Sequence, residues 1–180
     1  MDVEPFWITV WAVLVPGILW ASWIDYSQRR VPNWLNAALL AAGFVAQGVF
    51  NGWGGVQAAF GGMLVGFGVL ILPWCMHAMG AGDVKLMAAI GAWLGPWMTL
   101  YSFGVGVAVG GVVAVLMIVF SGRAKKAWAN IQIIMFKLSN RKTAFSDYGS
   151  AKSFGDSSQL LPYGVPLTIG TLIVLGGQFV

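Results

Sequence analysis

The sequence predicts an all-α, polytopic membrane protein with about six transmembrane helices. Three observations carry that prediction. Hydrophobic residues make up 58% of the chain and charged residues only 9%, with a mean hydropathy of +0.79. A soluble domain of 180 residues would need more charge on its surface. Apolar runs of span length recur, divided by short polar or Gly/Pro-containing turns. All ten Lys and Arg residues fall on alternate connections between those runs. The 25 glycines and ten tryptophans agree, since glycine lets membrane helices approach closely and tryptophan favours the headgroup zone. The single Cys75 excludes a disulfide framework within one chain and a cysteine-rich zinc site. The net charge of +4 is confined to connections, so no nucleic-acid partner is expected.

The first span is 7–24. It lacks the basic start and small-x-small cleavage site of a signal peptide, so it reads as a retained helix, bent at Pro16-Gly17. A polar turn follows, Asp25-Tyr26-Ser27-Gln28-Arg29-Arg30-Val31-Pro32-Asn33, whose proline suits the first turn of the next helix. The second span, about 34–50, ends at the uncharged turn Asn51-Gly52-Trp53-Gly54-Gly55. In the third, about 56–78, Gly62 and Gly66 share one face and suit a helix–helix contact, or are filler in an apolar run. From Leu86 to Phe120 there are 35 residues without a charge, too many for one span of about 20. Gly95-Pro96 offers the break, leaving a fourth span at 84–95 and a fifth at 98–120. The fourth would be only about 18 Å long, against a hydrocarbon core of about 30 Å. Asp83 at its start would then lie below the membrane surface, or the bilayer would thin there. Residues 121–160 hold seven cations, with Trp128, Ile131, Ile134, Met135 and Leu138 at helical spacing. They read as a basic cytoplasmic loop containing an interfacial helix, or as a solvated loop with apolar anchors. The last span opens at Leu161-Pro162-Tyr163-Gly164-Val165-Pro166. Residues 1–180 are read as a single integral-membrane domain.

Alternate numbering of the connections puts every cation on one side. Basic connections stay cytoplasmic, so the N-terminus is expected outside, and Asp25 and Asp83 both face the cytoplasm. They are the only acids within the apolar part of the chain. An ionisable group inside a membrane segment costs about 2.5–3.5 kcal/mol and marks a functional site by default. If the helices bearing them pack together, the two carboxylates share a proton. One can take a proton from water while the other polarises a peptide carbonyl, as in aspartic proteases. Structural readings stand beside this one. Asp25 could pair with Arg29 or Arg30, and Asp83 with Lys85, or cap the following helix. His77 reads as an interfacial polar residue and Lys85 as a snorkelling cation. No cofactor or metal site is expected: His77 is the one histidine, and no HExxH occurs.

Gly80-Ala81-Gly82-Asp83-Val84-Lys85-Leu86 resembles the GxGD motif of intramembrane aspartyl proteases, in the form found in type IV prepilin peptidases. Asp25, followed by Arg29-Arg30-Val31-Pro32-Asn33, resembles that family's first aspartate segment, and Pro162-Tyr163-Gly164 resembles the start of its last helix. The resemblance covers nearly the whole chain. It implies Asp25 and Asp83 as the catalytic pair, with Gly80 and Gly82 shaping the loop around Asp83. It implies cleavage of the short basic leader of pilin-like precursors at the cytoplasmic face of the inner membrane. Larger members carry a cysteine-paired N-terminal domain and methylate the new N-terminus. Only six residues precede the first span here, so a short peptidase-only form without methyltransferase activity is expected, as in tight-adherence pilus systems. The expected partners are a pilin-like precursor and the lipid bilayer, with oligomeric state open. The alternatives are a proton- or cation-coupled transporter using the paired acids, a non-catalytic secretion-system component, and a presenilin-type protease.

Overall fold

A computed structural model describes residues 4–28, 31–75, 79–120 and 163–178. The expectations for Arg29, Arg30, His77 and the basic stretch 121–160 lie outside the described residues. All regular structure among the described residues is helical. Helix α1 is Pro5–Gln28, α2 is Asn33–Cys75, α3 is Ala81–Phe120 and α4 is Gly164–Gly177. The first three are long and apolar enough to cross a membrane, and α4 is a shorter apolar helix.

Two of these helices are interrupted where the sequence places turns. In α2 the backbone leaves helical geometry at Gly52, with φ 60° and ψ −147°. In α3 it does so at Gly95, with φ 74° and ψ 175°. Both conformations are open to glycine and costly for other residues. Each interruption exposes helix-end carbonyls that need partners. Thr99 Oγ1 donates to Gly95 O at 2.5 Å, and Gln47 Nε2 donates to Trp93 O at 2.7 Å. Asn51 Nδ2 in turn donates to Gln47 Oε1 at 2.8 Å. Each helix thus consists of two arms, 33–51 and 53–75 in α2, and 81–94 and 96–120 in α3. Helix α1 carries a π-helical turn at Val10–Leu14, just ahead of Pro16. A proline supplies no N–H to the preceding turn, and a widened turn absorbs that loss.

By contacts the chain forms two compact units, Met1–Gly110 with Pro162–Val180, and Gly111–Leu161. Of the second unit, the described part is the end of α3, which is helical. The first unit is a bundle whose register is read from its contacts. The first arms of α2 and α3 run parallel: Asn36 bonds to Gly82, and Gln47 to Trp93. The second arm of α2 runs antiparallel to the first arm of α3, with Gly62 against Gly91 and Gly66 against Met87. No Cβ fits at Gly62 or Gly66 without meeting that backbone, so the glycine face serves helix contact. Helix α4 runs antiparallel to α1, and Ser22 Oγ and Thr168 Oγ1 hydrogen-bond at 2.5 Å between them. It is also joined to the second arm of α3 by Ser102 Oγ and Thr171 Oγ1 at 2.7 Å.

The short first arm of α3 is central. From Asp83 to Gly95 every residue is buried except Lys85. The outer surface of the unit carries Trp53, Trp97 and Trp23, which are 75%, 73% and 70% exposed. Trp53 and Trp97 follow the two glycine interruptions, and Trp23 and Trp34 lie at the opposite end of the bundle. Tryptophans at both ends of an apolar bundle fit two membrane–water interfaces.

Candidate active site

The C-terminal end of α1, the N-terminal ends of α2 and α3 and the start of α4 lie at the same end of the bundle, and this end holds both acids. Asp83 sits in the first turn of α3, its amide donating to Gly80 O at 3.2 Å. Asp25 sits in the last turn of α1. That is a poor place for a carboxylate, because the negative end of the helix dipole is there. The start of α4 offsets it: the Gly164 amide donates to Asp25 Oδ2 at 3.1 Å. Both carboxylates are buried, each residue 6% exposed, and each lies within electrostatic reach of the other. Asp83 Oδ1 has no hydrogen-bond partner among the described residues.

Local packing brings these motifs together. Gly82 is already helical, so only Gly80 belongs to a loop ahead of α3. A Cβ on Gly82 would lie 3.3 Å from Val31 Cβ and N, so the glycine lets the start of α3 close on the turn after α1. Asn36 Nδ2 donates to Gly82 O at 3.2 Å. Lys85 Nζ donates to Asn33 Oδ1 at 2.8 Å, so the lysine is exposed but engaged by the turn rather than merely extended outwards. Val31, Asn33 and Asn36 therefore hold the Asp83-bearing start of α3 against the start of α2.

Several residues of the site were not identified from sequence as its members. Gly164 contacts Asp25 directly: a Cβ there would stand 2.8 Å from Asp25 Oδ2. Ser22 Oγ donates to Gly164 O at 3.1 Å, which fixes that amide from the α1 side. Asn36 is 4% exposed with its Oδ1 unpartnered among the described residues. The available signal was a polar residue inside an apolar run, the pattern that Ser22, Asn36, Thr168 and Thr171 share. Among the described residues no three His, Cys, Asp or Glu side chains gather into a group able to hold a metal ion.

The profile of the type IV leader peptidase family matches residues 12–125, which include both aspartates and the turn between α1 and α2. The chain belongs to the type IV leader peptidase family. Prepilin leader peptidase/N-methyltransferase from Aeromonas hydrophila is 35% identical over 108 residues, covering 56% of this chain and 37% of the relative. The protein of that name from Burkholderia pseudomallei is 33% identical over 125 residues, covering 62% and 38%. That from Escherichia coli is 36% identical over 96 residues, covering 46% and 39%. The chain thus spans little more than a third of the length of the curated relatives it matches. No solved structure matches it. Together with family membership, the long apolar helices point to an inner-membrane protein.

Proposed function

We propose that this leader peptidase cleaves pilin-like precursors at the cytoplasmic membrane face, with Asp25 and Asp83 acting as an aspartate dyad. The observation that carries the reading is the convergence of the two buried carboxylates from α1 and α3 at one end of the bundle. Two adjacent carboxylates hold one proton between them. The ionised member takes a proton from the attacking water. The protonated member donates to the scissile carbonyl and later protonates the leaving amine. Asp83 Oδ1, unpartnered among the described residues, is suited to bind the water, while the Gly164 amide orients Asp25. Gly80 lies beside Asp83, where an added Cβ would be in ordinary contact with Oδ2 at 3.5 Å.

Six spans with the N-terminus outside complete the reading. In that arrangement the four helices, counting the arms of α2 and α3 separately, cross six times, and the aspartate end faces the cytoplasm. The proposal covers the peptidase step. The relatives' names add N-methyltransferase to leader peptidase, and the expected lack of methylation here is a proposal in its own right. The test is incubation of the purified protein in lipid with a pilin-like precursor, followed by the mass of both products. Wild type should release one defined leader and leave the new N-terminus unmethylated in the presence of a methyl donor. Asp25→Asn and Asp83→Asn should leave the precursor intact while remaining folded and inserted. Cleavage by either variant at the wild-type rate would refute the dyad. Methylation of the product would refute the peptidase-only reading alone.

A further inference from the structure

A groove of about 560 Å³ opens between the two arms of α2 and the first arm of α3. Its depth is apolar, lined by Leu40, Met63, Leu64 and Phe67. One end is polar, formed by Asn33, Asn36 and Lys85, and no acid lines it. The groove adjoins the aspartate site, with which it shares Asn33, Asn36 and Lys85, but it opens on another face of α3. At about 100° per residue, Lys85 and Ala88 lie about 200° and 140° round α3 from Asp83, on the opposite face of that helix.

We infer that this groove is a phospholipid site that takes an anionic glycerophospholipid, with its acyl chain against Leu40, Met63, Leu64 and Phe67 and its phosphodiester at Lys85. Charge complementarity selects this occupant. An ammonium group has three donors, and Lys85 commits one to Asn33 Oδ1, leaving donors for a phosphate oxygen. Asn33 in turn holds the lysine at the polar end rather than letting it extend freely. Asn36 forms part of the same polar end and is 4% exposed, with an Oδ1 that lacks a partner among the described residues. The exposed Lys85 ammonium favours the net negative charge of phosphatidylglycerol over zwitterionic phosphatidylcholine. An apolar slot beside a cation is the arrangement that binds anionic lipid between membrane helices.

The probe is phosphatidylglycerol, compared with phosphatidylcholine of the same acyl chains. The full chain is purified from bilayers holding both, and bound lipid is counted by native mass spectrometry. Wild type should retain phosphatidylglycerol about fivefold over phosphatidylcholine. Lys85→Gln should remove that preference and Lys85→Arg should restore it. Ala37→Trp, which fills the groove, should reduce retention of both lipids. Equal retention of the two lipids by wild type, or an unchanged preference in Lys85→Gln, would overturn the proposal. So would full retention in Ala37→Trp, or displacement of the lipid by a pilin-like precursor, which would give the groove to the substrate.

Discussion

At Gly164 one added methyl group should act directly on Asp25. Its Cβ would stand 2.8 Å from Asp25 Oδ2, and its amide is a donor to that oxygen. Gly164→Ala should therefore displace the carboxylate and cost activity out of proportion to stability. The expected outcome is a fall in kcat/KM of at least about tenfold, the loss of roughly 1.4 kcal/mol of transition-state stabilisation. Wild-type detergent Tm should be nearly kept, since the neighbouring Ser22–Thr168 contact remains. A variant with normal turnover would show that Asp25 tolerates movement. The aspartates themselves were legible in the sequence, because a charge in an apolar run has few explanations. Gly164 was legible only as part of a motif. Its contact with Asp25 joins residues 139 positions apart, and nothing local encodes that.

At the scale of elements, the glycines divide into those that touch a neighbouring helix and those that do not. Gly62 and Gly66 press against the backbone of the central arm, whereas Gly68 has nothing within 4 Å. Gly62→Leu or Gly66→Leu should force the arms apart and destabilise the bundle by about 1–3 kcal/mol or more. Gly68→Leu should change detergent unfolding little. Equal Tm values for the three variants would contradict the packing described for α2 and α3. Gly95→Ala tests the interruption in α3. Its φ of 74° and ψ of 175° should cost about 1–3 kcal/mol in any other residue, read as a lower Tm. The sequence revealed both interruptions: Asn51-Gly52-Trp53-Gly54-Gly55 reads as a turn, and the uncharged run from Leu86 is too long for one span and breaks at Gly95-Pro96. It did not reveal that the short arm 81–94 is the centre of the bundle. Its apolar run looks like its neighbours' runs, and centrality depends on which helices surround it. The π-helical turn in α1 was likewise hidden, since a proline predicts a disturbance but not the turn that absorbs it.

For the whole molecule, the account requires both acids at one membrane face. A reporter fused at Gly52 should be external, and one after Lys142 cytoplasmic, because Gly52 lies at the bundle end opposite Asp25 and Asp83. The reverse pattern would move both acids to the outer face and remove them from a cytoplasmic leader. The alternation of cations is what predicts this orientation from the sequence. The pairing of α1 with α4 was not readable, because the Ser and Thr contacts that join them are weak, at about 0.6 kcal/mol each, and dispersed along apolar runs. The most direct test of the central claim is the kcat/KM for precursor cleavage by Asp25→Asn, Asp83→Asn and the double variant. If the carboxylates work as one unit, each single change should lower kcat/KM by at least about 100-fold, and the double should be no slower than the slower single. Losses that multiply in the double variant, or a single variant at the wild-type rate, would contradict a shared catalytic pair.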